Sequence, residues 1–201
     1  MENCFMNSTE LLIDLDKLTE GEREELTKLG LLGADGTPQE FVQPVTAPKR
    51  LPPIQKHAIH APHVLNEAYH YAKPSSFSRG LRLDLGSYRL LLISGTASVD
   101  ENGDTVHVGD FGAQCWRTYR NIANLLEAED ASWHDVIRAT CYLRDIERDY
   151  EQFNKIRTSF FNWMGLDPLP ASVGVQTRLC REDLLVEIEA IALIQLKADN
   201  A

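Results

Sequence analysis

Two glutamates define the chemistry open to this chain. In Val186-Glu187-Ile188-Glu189-Ala190-Ile191-Ala192 they stand two residues apart in an otherwise apolar run. Side chains of a strand alternate between its faces, so in a strand both carboxylates share one face while Val186, Ile188 and Ala190 take the other. Two carboxylates one strand repeat apart repel, and a pKa raised in this way on either one suits acid–base work. Upstream, Pro170-Ala171-Ser172-Val173 reads as another strand, joined to this one by a polar turn in a terminal hairpin.

Other groups with chemical potential are fewer. His57, His60 and His63 recur at intervals of three, with His70 further on, and imidazole is a common metal ligand. Pro62 interrupts any continuous helix through them, and no carboxylate or cysteine falls in the run, so polar loop residues without a metal are expected. Cys4, Cys115, Cys141 and Cys180 lack the paired spacing of a zinc or redox motif. They are expected as reduced thiols, with Cys115 and Cys141 serving as small core residues.

Elements that could position these groups fill residues 75 to 201. Leu81–Leu85 and Arg89–Ser94 read as a strand pair around Gly86-Ser87. Asp110 is placed to cap a helix from Phe111 to Glu127, whose Phe111, Cys115, Tyr119, Ile122, Leu125 and Leu126 form one buried stripe. Residues 135–145 alternate as a strand. A second amphipathic helix spans 149–164, with Tyr150, Phe153, Ile156, Phe160 and Trp163 on its apolar side. The order strand, strand, helix, strand, helix, strand, strand predicts an α+β fold, a mixed sheet with two helices on one face.

Residues 1–74 differ in texture and are expected as an N-terminal extension. Thr19-Glu20-Gly21-Glu22 has the form of a capping box for a short helix over 20–29, which Gly30 would end. Its leucines, with Leu11, Leu12, Ile13, Leu15 and Leu18, call for a covering surface, so residues 8–32 are expected to dock on the folded body. Pro44, Pro48, Pro52 and Pro53 make the stretch from 33 to 53 an irregular strap, and a His-rich loop follows it.

At 201 residues with a formal net charge of -10, the chain is expected to avoid phosphate surfaces, and no nucleic-acid partner is predicted. Neither a membrane span nor a signal peptide is legible in it, so no membrane partner is predicted and the expected location is cytoplasmic.

Taken in order, Ile93-Ser94-Gly95, Gly109-Asp110, Gln114, Asn121-Ile122, Asp135-Val136, Tyr142-Leu143-Arg144-Asp145, Phe153-Asn154, Phe160-Phe161, Pro170-Ala171 and the Glu-Ile-Glu run resemble the Rid/YjgF family of reactive-intermediate deaminases. The resemblance covers roughly residues 75 to 196. It implies a chorismate-mutase-like fold, a homotrimer with three clefts between subunits, no cofactor, and hydrolysis of small 2-imino and 2-enamino acids to keto acids and ammonia. It also implies that Glu187 is catalytic, or else a carboxylate paired with an arginine across a subunit interface, with Glu189 as its companion.

Position 172 departs from the pattern. The family carries an arginine directly after Pro-Ala, a fork that clamps the substrate carboxylate, and this chain has Ser172. Losing that contact removes about 2 to 5 kcal/mol of binding. Asn154, Ser94 and Phe77 match family site positions, with a helix-face amide and a turn hydroxyl as the bland readings of the first two. Arg79 is either a substitute clamp or a solvated strand-end arginine, and Arg178 and Arg181 are expected to point away from the cleft. The functional expectation is a trimer that binds or hydrolyses a small imine, enamine or carbonyl metabolite other than a simple 2-imino acid. The alternatives are a noncatalytic ligand-binding or scaffold trimer and a chorismatase-like hydrolase.

Overall fold

The computed structural model describes residues 15–39, 54–72 and 74–196. Contacts divide the chain into two compact units, Met1–Leu51 and Pro52–Ala201. In the first, helix α1 (Glu20–Lys28) opens on the capping box of Thr19 and Glu22. It closes at Gly30, whose φ is 73°. There the Leu31 amide donates to the Leu26 carbonyl and the Gly30 amide to that of Thr27, a Schellman ending. Cys4, Leu11, Leu12, Ile13 and the strap prolines Pro44, Pro48, Pro52 and Pro53 lie outside the described residues.

The second unit holds strands β1 (Lys56–Ala58), β2 (Gly80–Leu85) and β3 (Tyr88–Ala97), helix α2 (Phe111–Glu127), strand β4 (Val136–Leu143), helix α3 (Ile146–Met164), and strands β5 (Ala171–Gln176) and β6 (Val186–Gln195). They form one six-stranded sheet in the order β1-β2-β3-β6-β4-β5. All pairs are antiparallel except β4 with β5. The α+β fold with a mixed sheet is therefore observed. Asp110 and Asp145 cap α2 and α3 by accepting the amides of Ala113 and Arg148.

Both helices cover one sheet face. Val186, Ile188, Ala190 and Ala192 of β6 pack into a core with Phe111, Cys115, Tyr119, Ile122, Leu125 and Leu126 of α2 and with Phe153 and Phe161 of α3. Burial pushes the Cys115 and Cys141 thiols up, as expected of inert core residues. The odd-numbered positions of β6, Glu187, Glu189, Ile191 and Leu193, face the open side.

Three expectations are corrected. β5 and β6 are not a hairpin, because β4 lies between them: β5 returns through α3 to run parallel to β4, which puts it at the sheet edge. The sheet-bearing unit begins before residue 74, since β1 pairs with β2 and Ile59, Leu65 and Ala68 are buried. Trp163 is 85% exposed, and the inner positions near the end of α3 go to Phe161 and half-buried Met164. Asn121 is fully buried, its Nδ2 donating to the carbonyls of Ala97 at 2.9 Å and Val99 at 3.0 Å, which ties α2 to the end of β3.

Gln114 holds the segment between β5 and β6. Fully buried, it donates through Nε2 to the Asp183 carbonyl at 2.8 Å and accepts the Leu185 amide at 2.8 Å. Arg144 adds bonds to the carbonyls of Leu184 and Arg181. Gln114→Leu keeps the volume and strands these backbone groups, so a loss of about 3 kcal/mol is expected. The check is the urea unfolding midpoint, and an unshifted midpoint would show that water replaces the amide.

Candidate functional site

Strand β6 is paired on both edges at Glu187 and on the β4 edge at Glu189. Glu187 lies opposite Ala97 of β3 and Tyr142 of β4, and Glu189 opposite Thr140. The β3 register shifts between Ile93 and Thr96, so a bulge falls at Ser94-Gly95. Bulges re-aim the chain locally. Here the bulge brings the Gly95 backbone beneath Glu187, and a Cβ at Gly95 would lie 1.9 Å from Glu187 Oε1. Only glycine leaves room for the carboxyl in this position.

Above Gly95 is a cavity of ≈130 Å³ whose wall includes Glu187, Arg79, Arg181, Tyr71, Phe77 and Cys180. Burial raises the pKa of Glu187, the Glu189 charge raises it further, and the Arg79 guanidinium opposes both. Glu189 borders two shallower hollows, one with Tyr142 and Arg178 and one with Ser94. Burial, then Glu189, pushes the Tyr142 phenol up.

Arg79 is no solvated strand-end residue, being only 6% exposed. Its Nε donates to the Asn66 carbonyl at 3.1 Å and its Nη2 to the Tyr71 hydroxyl. The guanidinium lies 4.8 Å from the Tyr71 ring centre and 5.1 Å from that of Phe77. Its backbone amide donates to Glu67. Ser94 spends its hydroxyl on the Ser78 carbonyl at 2.8 Å.

Arg181 also departs from expectation. With β5 at the edge, the segment from 177 to 185 crosses back over the end of β4 to reach β6, and this brings Cys180 and Arg181 beside Glu187. Arg181 Nη1 donates to the carbonyl of Gly103, against whose Cα the Tyr71 ring packs. Arg178 stays largely in solvent, near Glu182.

Asn154 and Ser172 form a separate cluster. Ser172 pairs with Ala139 on the helix-covered side of the sheet, whereas Glu187 faces the open side, so a single chain does not bring them together. Arg157, one turn along α3 from Asn154, donates to Asn154 Oδ1 and to Ser172 Oγ, the latter at 3.3 Å. Its guanidinium rests 5.3 Å from the Phe153 ring centre. A guanidinium thus reaches position 172 from the helix rather than from the strand.

The histidines are dispersed. His57 belongs to β1, 3.9 Å from the Asp84 carboxylate, and His60 lies 3.3 Å from that of Glu67. Among the described residues no three of His, Cys, Asp and Glu gather around a common point. Tyr71 and Arg157 escape sequence reasoning, which reads Cys180 only as a reduced thiol and turns Arg181 away from the cleft. Arg157 alone leaves a local trace, its helical spacing of three from Asn154.

This geometry can be set beside known proteins. The YjgF gene product from E. coli superposes with a TM-score of 0.56 at 24% identity, over 69% of this chain and 99% of its own. The fold is thus the YjgF-like α+β architecture. The sequence pattern described as endoribonuclease L-PSP matches residues 72–194. The 3-aminoacrylate deaminase RutC of Acinetobacter baylyi is 34% identical over 103 residues, or 51% of this chain and 78% of its own. A RutC family protein of Pyrococcus horikoshii is 34% identical over 102 residues, or 51% and 77%. The chain belongs to the Rid/YjgF family, whose pattern bears the endoribonuclease L-PSP description. Among the described residues no helix is long and apolar enough to cross a membrane.

The raised pKa of Glu187 has a consequence for stability. Well below the ordinary value of 4.5 the carboxyl is protonated in both folded and unfolded chains. As pH rises through the folded pKa, ionisation costs more in the folded chain and stability falls. Glu187→Gln should therefore unfold at a higher temperature than wild type at pH 7 to 8, the gap closing towards pH 4. Thermal melts across that range test this, and a gap that widens on acidification would contradict it.

Proposed function

We propose that this chain is a small-metabolite deaminase that hydrolyses the C–N bond of an imine or enamine, with Glu187 as its acid–base group. The carrying observation is the placement of that carboxyl, half-buried in a cavity wall over Gly95 with its pKa raised. A carboxyl so held is suited both to giving and to taking a proton. The protonated form donates to the imine nitrogen, which makes the carbon electrophilic. The resulting carboxylate then takes a proton from the water that adds there. The carboxyl, protonated again by that water, passes this proton to the amino nitrogen, and as the C–N bond breaks and ammonia leaves, the carboxylate takes the hydroxyl proton, which forms the carbonyl and restores the acid.

The relationship to the 3-aminoacrylate deaminase RutC supports this reaction class. The substrate is not held as a simple 2-imino acid would be by an arginine at 172, because the Ser172 hydroxyl is small and already bonded to Arg157. A net charge of -10 weighs against an RNA substrate.

The working assembly in this reading is a homotrimer in which Asn154, Ser172 and Arg157 of one subunit face Glu187 of the next. The open sheet face supports it, since Leu193, Val173 and Val175 leave more than a third of their surface uncovered in one chain.

The direct test generates 2-iminobutyrate and 3-aminoacrylate in the presence of the full chain and follows ammonia release. Glu187→Gln should lower turnover at least about 100-fold. No acceleration of either substrate above buffer would remove the deaminase reading in favour of a noncatalytic binding trimer. For the shared cleft, co-refolded Glu187→Gln and Asn154→Ala chains should regain roughly a quarter of wild-type turnover, because random mixing pairs intact residues in that share of clefts. A mixture no more active than its parents would exclude it.

A further inference from the structure

We infer that the Glu187 cavity is a pocket for a small organic carboxylate, held between Arg79 and Arg181 of the same chain that supplies Glu187. Both arginines line the cavity. Both are bonded only to neutral groups: Arg79 to the Asn66 carbonyl and the Tyr71 hydroxyl, and Arg181 to the Gly103 carbonyl. Among the described residues no carboxylate is within ion-pairing distance of either.

Burying a charge without a counter-charge is costly, and a guanidinium 6% exposed lacks the water that would otherwise offset that cost. Arg79 Nη1 has no protein partner among the described residues, so one edge of the fork remains available for a ligand. Glu187 is the carboxyl in the cavity wall and Glu67, which accepts the Arg79 backbone amide, is the other acid beside Arg79, and neither forms an ion pair with the Arg79 or Arg181 guanidinium. An incoming anion supplies what is missing.

Two features narrow the chemistry of that anion. The arginines come from different elements, Arg79 just before β2 and Arg181 from the segment leading to β6, so they approach from different directions, as suits a group with two acceptor oxygens. Most of the remaining wall is apolar or aromatic, with Phe77, Tyr71, Ala97, Val99 and Leu184 beside Ser75 and Cys180. A short carbon chain ending in a carboxylate fits this lining, its next carbon reaching the Glu187 carboxyl. The ligand is therefore a small organic acid rather than an inorganic anion. The identity of the reacting carbon rests on the deaminase reading, whereas anion binding does not.

Binding of 2-oxobutanoate to the full-length protein, measured by titration calorimetry at pH 7 with neutral 2-butanone and inorganic phosphate as comparison probes, tests the pocket. Wild type should bind the keto acid in preference to both comparison probes. Arg181→Met should weaken that binding by about tenfold or more, and Arg79→Lys, which keeps the charge but loses the fork, by a similar factor. Glu187→Gln should retain binding while losing turnover. Melting curves check the fold of each variant, and if Arg79→Lys does not fold, Arg181→Met decides alone. Wild-type affinity in Arg181→Met, loss confined to Arg157→Ser, or phosphate bound as well as the keto acid would each overturn the assignment. Carboxylate binding through these arginines without imine turnover would leave the pocket standing and remove the deaminase reading. Turnover with an unchanged KM in Arg181→Met would do the reverse.

Discussion

Strand β6 is hydrogen-bonded along both edges, to β3 and to β4, and this double pairing constrains the rest of the domain. A strand clamped on both sides cannot slip by one residue without turning every side chain to the other face. Its even positions lie under α2 and α3, so Glu187 and Glu189 are committed to the open face. The glutamates are polar in the only places where the strand can tolerate polarity, and what surrounds them there decides their chemistry.

The surroundings of Glu187 come from four parts of the chain, each held by buried or partly buried hydrogen bonds rather than by the glutamate itself. Ser94 bonds back to Ser78 and fixes the bulge that presents Gly95. Asn121 anchors the end of β3 to α2. Gln114 and Arg144 seat the segment that carries Cys180 and Arg181. Asn66 and Tyr71 hold Arg79 from the loop before β2. A cavity built this way is in place before any ligand arrives, so little ordering of side chains remains to oppose binding.

Much of this is legible in the sequence wherever the information is local. The stripe of α2, the cap residues Thr19 and Asp110, the Schellman ending at Gly30 and the alternation that pairs Glu187 with Glu189 all follow from spacing and residue type. What is not legible depends on tertiary placement. Chain order makes β5 and β6 look like a hairpin, and only the parallel pairing of β5 with β4 shows that the connecting segment must cross the sheet end. Arg181 follows that misreading, since a hairpin turn would point it into solvent. Arg79 looks like a strand-end arginine because the loop that buries it, from Asn66 to Tyr71, comes from a region whose composition suggests an irregular extension. Trp163 shows the limit of helical periodicity, which identifies a stripe but not where a neighbouring element stops covering it.

The substitution at position 172 illustrates why a missing residue is a weak guide to a missing function. A guanidinium is recognised by where its nitrogens lie, not by where its Cα is attached, and an arginine reaches several ångströms from its backbone. In this chain Arg157 delivers one to Ser172 from α3, Arg79 brings another to bear on Glu187, and Arg181 lines the same cavity. These positions differ in electrostatic setting. Arg157 is half-buried on a helix surface, where water screens its charge and hydrogen bonds to a serine and an asparagine suffice. Arg79 is enclosed, so its charge acts at lower effective dielectric and couples directly to the Glu187 carboxyl. The enclosed arginine therefore bears more on the chemistry of the cavity than the one that stands nearest the vacated family position.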